Sequence, residues 1–291
     1  MLDQAHKLRS LVNSILSSPM KSSRAAGPRV IAITSGKGGV GKTSLTVNLG
    51  LVLARWSRRV LLFDADLGLA NIEVMLGITP AYTLYEFLCG AKSIEEIVFS
   101  GPHGLQIISG GSGIQELANL DSIQRQRILD MLPYLRTKTD FVLVDTGAGI
   151  SRNVLGFVAA AEEVIMVITP EPTSLTDAYS LIKVLARFKV HSEARLIVNR
   201  ARDEREAAQA AQKLQMVCRK FLDFNLNYLG AVLEDGVVGQ AVKNQHPFVL
   251  FQPYSTAARN LNHVARCLVD GKDYAPKAAE RFLDRLLRLF G

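Results

Sequence analysis

The chain has 291 residues, 48% of them hydrophobic, a net charge of +7 and three cysteines. That is enough apolar material for a sizeable core, whereas Cys89, Cys218 and Cys267 are scattered and lack C-x-x-C spacing, which argues against a disulfide framework or metal cluster and for a reducing cytoplasm. There is no signal-peptide pattern and no apolar run near the ~18 residues that a spanning helix needs. The excess charge lies at the ends: residues 1–29 carry five basic side chains against Asp3, and residues 271–291 five against three acidic ones. No sequence-specific nucleic-acid partner is therefore expected of the middle of the chain.

Residues 1–18 place Leu2, Ala5, Leu8, Val12 and Ile15 at three- and four-residue steps, the pattern of a short amphipathic helix. Such a helix is marginal alone and is expected to order on a partner. Residues 19–28 read as a flexible linker. Val30 to Ile33 is an apolar strand run, followed by Gly36-Lys37-Gly38-Gly39-Val40-Gly41-Lys42-Thr43 and then by Leu45, Leu49, Val52 and Leu53 at helical spacing. Strand, glycine turn and helix is the context in which G-x-x-x-x-G-K-[ST] cradles phosphate: the glycines let backbone N–H groups point inward, and the helix N-terminus adds partial positive charge. Lys42 should reach the β- and γ-phosphates and Thr43 should ligate Mg²⁺, with Gly36 to Gly41 and Ser44 forming the cradle. Lys37 is a second lysine in the same loop, which points to a charge that the monomer does not hold.

Arg59 to Asp64 is a second buried strand, ending in Asp64-Ala65-Asp66, two carboxylates at the ligand edge of a parallel sheet. Short helices are expected at Leu84–Leu88 and Ile94–Phe99, a strand at Leu105–Ser109, a mobile loop at Gly110–Gly113 and a helix through Ile123, Ile128 and Leu135. Phe141 to Asp145 is an apolar strand ending in an acid, and Asp145 should hold Mg²⁺ through water. Further strands are expected at Glu163–Thr169, Arg195–Arg200 and Tyr228–Leu233, with helices at Leu175–Phe188, Glu204–Leu222, Gln240–Asn244 and Thr256–Leu268. The alternation gives one doubly wound, mostly parallel α/β domain over residues 29–270, with helices on both faces. In residues 271–291, Phe282, Leu283, Leu286, Leu287, Leu289 and Phe290 fill an arc of about 160° opposite a largely basic face. That pattern is expected of a membrane-targeting helix, the alternative being one that covers the core.

The loop resembles the K-G-G-x-G-K-[ST] signature of the deviant-Walker ATPases, the MinD/ParA family. The resemblance implies a Mg²⁺-dependent ATPase in which Lys37 crosses an ATP-sandwiched homodimer to the partner's nucleotide. It also implies that Asp66 aligns the attacking water, Asp64 supports the metal shell, and Asn199, with Arg200, meets adenine. Asp66 to Asn71 and Asp145 to Ile150 are similar to the family's switches, although Gly147 stands where Pro is more usual. Asp3-Gln4-Ala5-x-x-Leu8-Arg9 resembles the N-terminal motif of the flagellar-number branch (FlhG/FleN type), in which that segment stimulates a signal-recognition-type GTPase. The function implied is an ATP-driven switch of flagellar number or placement, cycling between the cytoplasm and anionic membrane lipid at the inner face of the cell membrane. Flagellar motor-switch proteins or a flagellar transcription regulator are candidate further partners. A cell-division site selector or a partition ATPase of the same family is the alternative.

Overall fold

Seven apolar runs become adjacent parallel strands, and each needs a covering on both faces. The computed structural model describes residues 27–66, 71–111, 120–270 and 278–290. Its eight strands are β1 (Arg29–Ser35), β2 (Val60–Ala65), β3 (Phe99–Ser100), β4 (Gln106–Ile108), β5 (Phe141–Ala148), β6 (Glu163–Ile168), β7 (Glu193–Ala201) and β8 (Asn225–Leu233). They form one sheet in the order β3-β4-β2-β5-β1-β6-β7-β8. All neighbours pair in parallel except β3 with β4, which are antiparallel. The expected helix through Phe99 stops short, because Phe99 and Ser100 turn back to pair with Ile107 and Gln106. Strand and helix ends elsewhere fall within a few residues of the sequence reading, and three helices, Asn71–Leu76, Arg152–Ala160 and Phe248–Phe251, were not expected.

The helix after the phosphate loop, α1 (Lys42–Arg55), is buried nearly all round, since it fills the centre of one face under Leu62, Leu143 and Ile165. Also on that face are α2 (Asn71–Leu76), α10 (Gly236–Lys243), α11 (Phe248–Phe251) and α12 (Thr256–Asp270). The other face is covered by α3 (Leu84–Leu88), α4 (Ile94–Ile97), α5 (Ser122–Asp130), α6 (Leu132–Lys138), α7 (Arg152–Ala160), α8 (Pro172–Arg187), α9 (Glu204–Leu222) and α13 (Ala278–Phe290). The expected single helix through Ile123 and Leu135 is two, broken at Met131 just before Pro133.

The last helix corrects an expectation. Phe282, Leu283 and Leu286, read as a lipid-facing stripe, are 4%, 2% and 3% exposed. They pack with Leu61, Phe63 and Met131 in the core of the second face, and Leu287 packs half-buried against the same cluster. The side chain of Phe290 lies outside the described residues. An apolar arc is satisfied by any apolar surface, and here the protein supplies one. Polar contacts hold the helix at both ends: Arg281 pairs with Glu162 at 2.8 Å, Glu280 meets Arg136, and Arg152 donates to the Leu289 carbonyl at 3.3 Å. Residues 278–290 thus pack as one body with the sheet.

At the sheet edge opposite the phosphate loop, Arg29 forms a bidentate pair with Glu163 (2.7 and 2.8 Å), and Arg195 lies 3.0 Å from the same carboxylate. Both arginines donate to the Leu268 carbonyl at the end of α12, at 2.9 and 3.2 Å. The first and last residues of the nucleotide fold are thus pinned together.

Candidate active site

Strand β1 delivers Ser35 to the carboxyl edge of the sheet, where the chain must turn sharply. Gly41, at φ +86°, takes the left-handed conformation that closes the loop onto α1, and a Cβ there would strike the Asn199 amide. Gly36 is required for a different reason: a Cβ on it would overlap the backbone of Asp177 and Ala178 in α8. The loop is braced from its other side by the segment that follows β5, since Gly149 N–H donates to the Ser35 carbonyl at 2.9 Å.

Inside this frame the predicted residues converge. Lys42 Nζ lies 2.8 Å from Asp145 Oδ1, and Thr43 Oγ1 donates to Asp145 Oδ2 at 2.6 Å. Asp145 is fully buried within β5, beside Asp64 near the end of β2, with which it is in register. Asp64 Oδ2 is buried without a hydrogen-bond partner. Burial, and then the neighbouring Asp145 charge, push its carboxyl up to about 7. Asp66 N–H donates to Asp64 Oδ1 at 3.1 Å, and Asn71 Nδ2 donates to Asp66 Oδ2 at 3.3 Å. Ser44 Oγ is likewise buried and without a partner.

Lys37 points elsewhere. Its ammonium sits 2.9 Å from both Glu171 Oε2 and Thr173 Oγ1, at the start of α8, and is 39% exposed. Asn199 Nδ2 donates to the Val40 carbonyl at 2.8 Å, so part of the amide expected at adenine braces the loop instead. The same amide still borders a cleft of about 470 Å³, lined by Ser44, Arg200, Asp235, Val238 and Phe248, a volume that suits a nucleoside. Arg200 lies on its rim at φ +58°, backbone strain of the kind that gathers at ligand sites. A larger groove of about 620 Å³ at the opposite sheet edge mixes both signs of charge, and its lining residues contribute none of the buried side-chain atoms left without partners. We place the chemistry at the smaller cleft, where unpartnered oxygens, a helix N-terminus and the glycine loop coincide.

A family model described as an AAA domain matches residues 28–198. The sequence is also 41% identical to the antiactivator FleN of Pseudomonas aeruginosa over 238 residues, which is 82% of this chain and 85% of that protein. The chain belongs to the MinD/ParA family of deviant-Walker ATPases. Its branch is the flagellar one: the flagellum site-determining protein YlxH of Helicobacter pylori is 31% identical over the whole of both chains. Among solved structures, the septum site-determining protein MinD of Pyrococcus horikoshii complexed with Mg-ADP is 29% identical, at a TM-score of 0.66 over 84% of this chain and 96% of that one. MinD in the MinC:MinD cell division complex of Aquifex aeolicus gives 0.67 at 27% identity, over 84% and 97%. Regulation of flagellar number is the function of this part of the family.

For a deviant-Walker ATPase the donor set fits Mg²⁺. Thr43 Oγ1, Asp145 and the unpartnered Asp64 Oδ2 are hard oxygens on one side of the loop, and few enough that phosphate and water complete the shell. Among the described residues no group of three or more His, Cys, Asp or Glu forms an all-protein metal cage. When bound, the metal neutralises charge developing on the phosphates. Lys42, paired with Asp145 in this structure, would exchange one anion for another if it met a phosphate. Asp66 follows the end of β2, and its carboxylate accepts from Asn71. Sequence reasoning missed Glu171 and Thr173 as the holders of Lys37, and it missed Thr46. Asp3, Gln4, Leu8 and Arg9 lie outside the described residues, as do residues 67–70 of switch I.

Proposed function

We propose that the chain is an ATP-driven dimerisation switch that sets flagellar number or placement by moving between a cytoplasmic monomer and a membrane-associated ATP dimer. The observation that carries this reading is Lys37. It is the loop's spare cation, exposed and held away from the Lys42–Asp145 pair by two side chains of α8. An exposed pair of this kind contributes only ~0.2–1 kcal/mol, so a phosphate presented by a second copy can take the lysine over. The membrane arm follows from α13. While docked it hides its apolar arc, so lipid binding requires that it leave its seat. Two released helices on one dimer make the second contact intramolecular, which strengthens binding by roughly 10²–10⁴. Residues 1–18 supply the separate activity toward a signal-recognition-type GTPase. No helix among the described residues is long and apolar enough to cross a membrane, in keeping with peripheral attachment.

Sizing chromatography with saturating ATP tests the scheme. Lys37→Ala should bind nucleotide yet stay monomeric, and Asp66→Ala should accumulate as dimer because its water is no longer aligned. An Asp66→Ala protein that remains monomeric refutes it.

A further inference from the structure

Thr46 is one turn into α1, fully buried, and belongs to no part of the phosphate-loop signature. Its hydroxyl oxygen lies 3.0 Å from the Lys42 carbonyl and 3.0 Å from Asp145 Oδ1. A hydroxyl has one hydrogen, so it donates to one of these acceptors at a time. In this structure Asp145 is supplied without it: Lys42 serves Oδ1 and Thr43 serves Oδ2. Nucleotide takes the lysine for phosphate, whereas a Thr43 oxygen that ligates the metal through a lone pair keeps its proton for Oδ2. Oδ1 of Asp145, a buried carboxylate beside Asp64, then loses its lysine partner. Of the three side chains that touch it, Thr46 alone has no duty toward nucleotide.

We propose that Thr46 is the positioning residue for Asp145. Its proton rests on the Lys42 carbonyl or on Oδ1 while Lys42 is paired with Asp145, and commits to Oδ1 when the lysine leaves. That bond fixes the carboxylate rotamer with Oδ2 turned toward Thr43 and the metal shell. The device is local to α1 and needs no movement of the backbone. Among the other polar side chains of α1, Asn48 is bonded to the Ser44 carbonyl and to Val249 N–H, and Ser44 lines the nucleoside cleft.

The test separates metal positioning from mere packing. The full-length protein is titrated with a fluorescent ADP analogue, first in EDTA and then at fixed nucleotide with increasing Mg²⁺, so that no turnover is involved. Thr46→Val keeps the shape and loses the proton. It should bind nucleotide in EDTA within twofold of wild type, yet need about 10- to 100-fold more Mg²⁺ for half-maximal tightening, the range for a lost hydrogen bond to a charged group. Thr46→Ser, which keeps the proton, should stay within threefold on both readouts. Thr46→Ala serves if the valine protein does not fold, and thermal melting checks each variant. A Mg²⁺ shift below threefold for the proton-lacking variant overturns the proposal. So does an equal loss in EDTA, or a serine variant as impaired as the valine one.

Discussion

Phe282→Ala examines how firmly α13 is seated. The ring is 4% exposed and fills a seat whose remaining void, beside Leu61 and Met131, is only about 20 Å³. Removing a buried phenyl costs about 3–5 kcal/mol where the surroundings cannot collapse, and the strands beneath α13 are held by the sheet. If the helix opens on its own, that loss falls entirely on its local opening. At ~1.4 kcal/mol per factor of ten, its amides should exchange with solvent roughly two to three and a half orders of magnitude faster. The amides of Val142 and Val144 in the central strand β5 report opening of the whole domain, and should change by less than a factor of about three. Hydrogen exchange followed by mass spectrometry resolves the two segments in one experiment. Arg281→Ala, which removes a partly exposed pair with Glu162, should accelerate the helix only a few-fold. Equal acceleration of the helix and β5 would show that α13 cannot open separately, and a releasable membrane arm would be refuted with it. No acceleration at all would refute the packing argument.

Three further outcomes are expected. Glu171→Ala removes the carboxylate that holds Lys37 and should shift dimerisation to a few-fold lower ATP, read by light scattering; an unchanged midpoint would mean that the contact restrains nothing. Asp64 is held up at about 7 against 3.8, so the folded protein grips this proton more tightly than the unfolded chain does. Stability without metal should therefore decline as pH rises from about 4 to about 7, and Mg²⁺ affinity should climb through the same upper limit and level off above it. Asp64→Asn should flatten that pH dependence in calorimetric titration. Gly36→Ala should lower stability by about 1–3 kcal/mol in denaturant unfolding and impair nucleotide binding, because its methyl group meets the α8 backbone.

Much of the nucleotide fold was legible because a parallel sheet buried on both faces writes itself as apolar runs, each ending in the residue it delivers. Val30 to Ile33, Arg59 to Asp64 and Phe141 to Asp145 are such runs, and they place the loop, Asp64 and Asp145 at one edge. The pairing of Phe99 and Ser100 was not legible, since two residues carry no period. The seat of α13 was hidden for a deeper reason. Hydrophobic burial is non-directional, and the same stripe satisfies lipid or protein core. Thr46 and Glu171 were missed because their roles depend on partners 99 and 134 positions away in sequence, and neither local propensity nor spacing records such a meeting.

The pinning of Arg29 and Arg195 to the Leu268 carbonyl has a consequence for delivery. It makes one corner of the molecule the root of two leads, one running back toward residues 1–18 and the other forward to α13. Covalent geometry caps each lead at about 3.3–3.6 Å per residue, so each reaches roughly 30 Å over residues 19–26 or 271–277. The junctions with residues 1–18 and with α13 are thereby kept within about 60 Å of each other. Confinement on that scale corresponds to local concentrations approaching millimolar, so a captured protein and a bilayer can find each other without any surface on the sheet having evolved to touch either.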